Sequence, residues 1–327
     1  ILEPNLLGIL CARHKNQIAI DKFIFIGDHK QLPAVVQQSE RESIVSEPEL
    51  IKIGMSDCRN SLFERLINIQ KKNGSEDFIH MLFKQGRMHP EISSFSNEIF
   101  YEKKLKPIPL KHQLEILHCP SYDKSDGLQN LIASHRLAFI VSKGDKNPIS
   151  DKTNKDEAIR ISALLKTIYT INKNNFNPQT VGVIVPYRNQ IALIRKEIKQ
   201  LNIPALSDIT IDTVERYQGS ERDFIIYGFT VQKIYQLEFL TGNVFKDNGQ
   251  TIDRKLNVVL TRARKQLFLI GNPQILSYNI IFQKLIKFID NRQGVCDIPT
   301  EYFIQGKFSC SPADKTSVPD SRQKLNV

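Results

Sequence analysis

The stretch VGVIVPYRNQIALIRKEIKQ, Val181 to Gln200, sets the pattern for the whole chain. Its first five residues, Val181 to Val185, form an unbroken apolar run, as in a strand buried on both faces. Pro186 has no amide hydrogen to give to a ladder and ends that strand. Tyr187, Arg188 and Gln190 then stand on the loop entering a helix expected over about residues 189–201. Outward from there the alternation recurs. Strands are expected at 137–141, 209–214, 224–229 and 267–270, and helices at about 155–171, 253–263 and 274–290. Strands alternating with helices imply an α/β fold, a parallel sheet with helices on both faces. Upstream, residues 3–14, 61–69 and 90–101 read as helices, 22–26 and 78–83 as strands, and 37–60 as irregular. The expected organisation is the tail of one α/β domain over 1–101, a proline-bearing connector over 102–135, a complete second α/β domain over 136–290, and a tail over 291–327 that is disordered from Gly306 onward.

The chain has 327 residues, enough for about two domains. Lys and Arg exceed Asp and Glu by 45 to 35, a formal charge of +10. Such an excess suits a polyanionic partner such as nucleic acid, although a lysine-rich proteome produces the same balance. The five cysteines are scattered with no CxxC pair, which excludes a zinc ribbon or a dithiol redox motif. Reduced thiols in a cytoplasmic protein are the default expectation. No signal peptide and no apolar run of about 18 residues is present, so no membrane partner is expected. The chain opens on Ile1 rather than Met, which reads as a fragment or a cut gene.

Five polar blocks sit where an α/β fold keeps its working loops, at the carboxyl ends of strands. They are GDHKQLP (Gly27–Pro33), QGRMHP (Gln85–Pro90), VPYRNQ (Val185–Gln190), DTVERYQGSE (Asp212–Glu221) and NVVLTRAR (Asn257–Arg264). Gly27 permits a tight exit from the apolar run before it, placing Asp28 and Gln31 at the sheet edge. A carboxamide both donates and accepts, so Gln31 suits a terminal phosphate and an attacking water. The guanidinium fork of Arg87 suits a phosphate, and a surface salt bridge is its plainer use. His89 reads as a structural hydrogen-bonding residue. Tyr187 beside cations suits single-stranded nucleic acid; Lys196 and Lys199 are explained as well by a solvated helix face. The Thr213 hydroxyl suits a backbone phosphate, and Glu221 a ribose hydroxyl, with a plain turn as its alternative. Arg262 and Arg264, two apart near the expected end of a helix, point in different directions. Arg262 suits charge on a transferring phosphoryl group, and Arg264 the dipole of the helix C-terminus.

Taken together these blocks resemble the superfamily 1B helicases of the DNA2–Nam7-like group, which includes the nonsense-mediated-decay RNA helicase. GDHKQLP is similar to that family's motif III, QGRMHP to its QYRMHP block, and the last three blocks to its motifs IV, V and VI. The resemblance spans about residues 1–290. It implies two RecA-like domains of the P-loop NTPase fold, with ATP between them and a single strand of DNA or RNA across both, traversed 5′ to 3′. Here the chain would supply the end of the first domain and all of the second. Asp28, Gln31, Arg87, Glu221 and Arg262 would hold the nucleotide: Gln31 as γ-phosphate sensor, Arg87 and Arg262 as catalytic cations, Glu221 on the ribose. Pro186, Tyr187, Thr213 and Val214 would lie along the strand.

Two departures stand out. The phosphate loop GxxxxGK[ST] is absent from the chain, and the magnesium-binding acidic pair is expected upstream of Ile1, so ATP and Mg2+ chemistry would need an amino-terminal half. No metal ligand is assigned within the chain; Asp156-Glu157 reads as an N-terminal helix charge. Gly86 stands where the family commonly places an aromatic that stacks on adenine. The expected function is therefore the carboxy-terminal portion of an ATP-dependent helicase or translocase, inactive alone. The alternatives are a regulatory ATP-sensing, nucleic-acid-binding module, or the motor part of a nuclease or defence protein.

Overall fold

The computed structural model describes residues 2–305 apart from 37, 76, 118–125, 146, 147 and 149. The tail expected to be disordered from Gly306 lies outside the described residues. The helices that matter are α1 (Leu62–Lys72), α2 (Pro90–Ile99), α3 (Gly127–Ser134), α4 (Lys155–Ile171), α5 (Arg188–Gln200), α6 (Arg254–Leu260), α7 (Ile280–Asp290) and α8 (Thr300–Gln305). The strands are β1 (Leu137–Val141), β2 (Val181–Ile184), β3 (Thr210–Asp212), β4 (Arg222–Gly228), β5 (Val244–Asp247), β6 (Gln250–Asp253), β7 (Ala263–Gly271) and β8 (Val295–Cys296).

Six strands form one sheet in the order β8-β1-β7-β4-β2-β3, and every pairing is parallel. Alternate residues of each strand feed two cores. On one face Phe139, Tyr227 and Leu269 pack with α6 and α7; on the other Ile140, Ile226 and Ile270 pack with α3, α4 and α5. Burial on both faces is why the strands read as continuous apolar runs.

The packing does not divide at residue 101. Met88, Ile92, Phe95, Phe100 and Tyr101 join the core of the six-stranded sheet, with the Phe95 ring 5.3 Å from that of Phe288 on α7. The tail expectation is also corrected at its start. Residues 295–305 belong to the fold: β8 extends the sheet, and Arg160 of α4 donates to the Ile298 carbonyl (2.7 Å) and Thr300 Oγ1 (3.0 Å). Asp156 is more than a helix charge, because it pairs with Arg160 at 3.0 Å and accepts from Thr300 at 2.6 Å. Its neighbour Glu157 is fully buried and accepts from the Thr230 amide at 2.8 Å; burial pushes its carboxyl well above the usual range.

Two expected strands are not strands. Residues 22–26 run without regular structure, leaving Ile24 80% and Ile26 86% exposed. Of the second run, Phe78 is 84% and Leu82 76% exposed, and only Lys84–Gln85 pairs, with Lys106–Pro107. A strand exists through its neighbours' hydrogen bonds, and among the described residues nothing pairs with residues 22–26 or 78–82. The irregular stretch 37–60 contains two short helices, Glu40–Ser43 and Pro48–Lys52, and the connector contains α3 and a turn of helix at Lys111–Leu114.

Two consequences are measurable. A Cβ on Gly182 in β2 would lie 1.6 Å from Tyr217 Oη, a ring only 1% exposed. Gly182→Ala should lower stability by about 3 kcal/mol, as overpacking of a closed core does, and Tyr217→Phe in the same chain should recover part of it; denaturant titration reads both. Asp253 caps α6, accepting from the Leu256 amide at 2.9 Å, while its Oδ2 is buried without a partner. Burial pushes its pKa up to about 6, so the folded state binds the proton more tightly than the unfolded chain and stability falls as pH rises from about 4 to about 6. Asp253→Asn keeps the cap and removes the charge. At pH 7.5 it should be the more stable protein, by on the order of 1–3 kcal/mol, with the difference vanishing below pH 4 in melting curves.

Candidate nucleotide cleft

Gln31 is aimed by the turn that carries it. Asp28 Oδ1 accepts from the Lys30 amide (3.0 Å) and the Gln31 amide donates to the Asp28 carbonyl (3.1 Å). This folds Gln31 back, so that Nε2 donates to Asp28 Oδ2 (2.9 Å) and Oε1 accepts from Arg262 Nη2 (2.9 Å). Tyr101 donates to the same Asp28 oxygen at 2.5 Å, and Asn257 Nδ2 donates to Tyr101 Oη (2.8 Å) and to the Lys30 carbonyl (2.9 Å). Burial, and then the adjacent Asp28 carboxylate, push the Tyr101 phenol well above its usual range, so it remains a donor.

Arg262 reaches this loop because α6 ends early. Thr261 Oγ1 bonds back to the carbonyls of Asn257 (2.8 Å) and Val258 (3.1 Å), and the chain leaves the helix axis there. The expected helix over 253–263 is thus shorter, and Arg262 stands on the turn between α6 and β7. The Arg262 side chain is 2% exposed and donates to the Val258 carbonyl (3.0 Å), Thr261 Oγ1 (3.0 Å) and the Ser220 carbonyl (3.4 Å) besides Gln31. Burial, and then the like charge of Arg87, lower its pKa to about 10. Arg264 is corrected: it lies on strand β7, not at a helix C-terminus, with Nε 3.6 Å from Asp223 and 4.0 Å from Glu221.

The QGRMHP block folds over its own carboxamide, Gln85 Oε1 accepting from the amides of Arg87 (3.1 Å) and Met88 (2.9 Å). Arg87 then spans the cleft, with Nε donating to Glu221 (2.6 Å) and Nη1 to the Thr261 carbonyl (3.2 Å), and keeps 31% of its side chain exposed. Burial works to raise the Glu221 pKa, but the bond and charge of Arg87, with Arg264 beyond, hold it below the usual carboxylate range. His89 caps α2 through Nδ1, and burial, with Arg136 nearby, lowers its pKa to about 4, leaving a neutral structural ring. At Gly86, a Cβ would meet Leu110 at 3.2 Å and Ile108 at 3.6 Å, so a side chain there would need the Leu110 side chain to give way.

Asp28, Gln31, Arg87, Glu221 and Arg262 therefore form one cluster. The other four assigned residues lie outside it. Pro186 is buried and Val214 is 2% exposed in the core, so neither presents its side chain as expected; the strand and short helix that position them face inward. Tyr187 is half-buried, its ring stacked on Phe239 at 4.9 Å, and Lys255 Nζ lies 4.1 Å from that Phe239 ring. Thr213 is half-buried at the start of the turn Val214–Tyr217. Between the GDHKQLP loop and this turn lies a cavity of about 520 Å3, lined by Leu32, Val36, Glu64, Glu215, Gln218 and Arg254 among others. Arg254 pairs with Glu64 at 2.5 Å, and Gln218 donates to the Leu32 carbonyl at 2.9 Å.

Sequence reasoning missed three contributors. Tyr101 and Asn257 hold Asp28 and the loop backbone, and nothing in their spacing announces it. The hairpin β5–β6 was announced: Asn248-Gly249 is a strong two-residue turn signal, and both residues have positive φ (48° and 77°).

The sequence profile of a family described as AAA domain matches residues 58–274. An uncharacterised ATP-dependent helicase of Methanocaldococcus jannaschii is 30% identical over 82% of this chain and 34% of its own length. The human DNA replication ATP-dependent helicase/nuclease DNA2 is 26% identical over 85% of this chain and 25% of its own. The DNA polymerase alpha-associated DNA helicase A of Saccharomyces cerevisiae is 27% identical over 84% of this chain and 37% of its own. The chain thus spans about a quarter to a third of the length of these relatives. No helix among the described residues is long and apolar enough to cross a membrane. By family profile and by its similarity to these relatives, the chain belongs to the AAA-domain family and, within it, to the DNA2–Nam7-like superfamily 1 helicases.

Proposed function

We propose that the chain is the carboxy-terminal part of an ATP-dependent helicase that moves 5′ to 3′ along single-stranded nucleic acid in the cytoplasm. The observation that carries this reading is the convergence of Arg262, Arg87 and Gln31. Arg87 and Arg262 both donate to Thr261, at its carbonyl (3.2 Å) and its Oγ1 (3.0 Å), and two guanidinium groups held against one residue in a part-buried cleft favour a polyanion beside them. The cleft fits the terminal phosphate of ATP. Arg87 and Arg262 would hold its oxygens, Gln31, anchored by Asp28, would orient a water, and Glu221 would turn from Arg87 to the ribose. ATP supplies the phosphoryl group; this chain's cations stabilise the charge that develops on it. The magnesium ligands are expected outside this chain. Among the described residues no group of three or more His, Cys, Asp or Glu could hold a metal ion, and the phosphate-loop sequence is absent from the chain. Those parts belong to an amino-terminal segment, whose strands would also pair with the exposed runs at 22–26 and 78–83.

The nucleic acid would cross near Thr213 and the exposed edge of Tyr187, with Pro186 and Val214 contributing backbone only. Around the cavity beside them the cations are paired with carboxylates, which favours bases over phosphates there.

The chain alone should hydrolyse ATP at background rate. Joined to a segment bearing a phosphate loop and acidic pair, Arg262→Ala should cut turnover by about 10³-fold or more, the range for arginine fingers. Arg264→Ala should cut it far less, since its nearest acidic partner is Asp223. Steady-state ATPase assays with and without a single strand decide this. Hydrolysis by the chain alone, or equal losses from the two arginines, would overturn the assignment.

Binding of the chain to a labelled single-stranded oligonucleotide should weaken steeply between 50 and 200 mM salt, by roughly tenfold per two phosphate contacts or so. Fluorescence anisotropy measures it. Tight binding with no ATPase in the joined protein would favour the regulatory module instead.

A further inference from the structure

The hairpin β5–β6 lies late in the chain yet spends its side chains on residues of its first hundred or so. Asp247, at its tip, is 9% exposed and accepts from Lys71 of α1 (2.7 Å), Lys30 (3.1 Å) and His29 (3.2 Å). One residue on, Asn248 donates to Glu102 at 3.4 Å. Earlier on the same strand, Phe245 sits between two groups, the His29 ring at 6.1 Å edge-on and the Arg254 guanidinium 4.0 Å from its centroid. Arg254 in turn donates to the His29 carbonyl at 2.9 Å and opens α6, the helix that delivers Arg262. Burial works to raise the Asp247 pKa, but the hydrogen bonds from Lys71, Lys30 and His29, with the charge of Lys30, hold it far below the usual range, so the carboxylate is charged.

A carboxylate this enclosed is stable only while its partners stay in place. His29 and Lys30 immediately precede Gln31. We infer that Asp247 is a positioning residue: it clamps the His29–Lys30 loop against the hairpin and so holds Gln31 in hydrogen-bonding range of Arg262. The catalytic consequence rests on the helicase reading above; the clamp itself does not. Because β6 runs directly into α6, the hairpin ties the loop that would sense the nucleotide to the helix that would supply its arginine. Lys30 strengthens the lock by donating to the Phe100 carbonyl at 2.7 Å, beyond the end of α2.

Hydrogen exchange on the 327-residue chain tests the clamp without any ligand. In Asp247→Asn the amides of Lys30 and Gln31, bonded to Asp28, should exchange about tenfold faster, while those of β7 stay unchanged. Asp247→Glu should restore most of the protection. Unchanged exchange at Lys30 and Gln31 would overturn the proposal, as would an equal rise in β7, which would make Asp247 a residue of general stability. In the protein joined to its phosphate-loop segment, Asp247→Asn should lower kcat by about tenfold with KM changed less than twofold, and Asp247→Glu should recover it. If the joined wild-type protein shows no ATPase, the helicase reading fails and the exchange experiment still decides the clamp.

Discussion

A guanidinium group with 2% exposure must have its donors met inside the protein, and Arg262 meets them with acceptors from three separate segments. Val258 and Thr261 belong to its own turn, Ser220 to the turn before β4, and Gln31 to the distant GDHKQLP loop. Leaving such a group unpaired costs several kcal/mol. The requirement therefore fixes how the three segments meet, and the rest of the cleft is arranged around it. Thr261 ends α6 so that the arginine can turn inward; Asp28 orients Gln31 so that its oxygen faces that arginine; Tyr101 and Asn257 hold Asp28 and the loop backbone. Arg87 adds a second cation, which Glu221 balances.

The parallel sheet was legible because burial on both faces makes each strand a solid apolar word. The helices over 155–171 and 188–200 were legible because they are long and carry a regular period. The cleft residues were legible through their order along the chain rather than through any local signal. The misses have physical causes. The runs at 22–26 and 78–83 are as apolar as β2, but apolarity marks the need for burial and does not supply a neighbour. Val214 reads as the end of a strand beside Thr213, open to the nucleic acid, but the chain turns into a short helix there and directs it into the core. Arg264 reads as a helix end because the threonine that terminates α6 before it acts through its hydroxyl, which a hydrophobic pattern does not register.

The same contrast explains the uneven construction of the molecule. Around the six-stranded sheet, strands, helices and polar caps agree at every level. In the first hundred residues much of the order is borrowed from contacts with later parts of the chain: α2 through Phe95, the GDHKQLP loop through Asn257 and Asp247, α1 through the pairing of Glu64 with Arg254. A chain whose first segment is held mainly by foreign side chains should open there first, well below the free energy at which the sheet itself gives way.

The strand β8 has a consequence of another kind. Without it β1 would be the outer strand, five apolar residues presenting a row of unpaired amides and carbonyls. Bare edges of that sort recruit strands from other molecules. The short cover at Val295–Cys296 is fastened by its C-terminal neighbours: Ile298 and Phe303 seat against α4, and the Arg160 guanidinium lies 4.6 Å from the Phe303 ring. This segment acts as a selvedge, the finished border that keeps a woven sheet from being extended by its neighbours. At this edge of the sheet, protection from pairing with another molecule's strand thus rests on residues remote from the cleft.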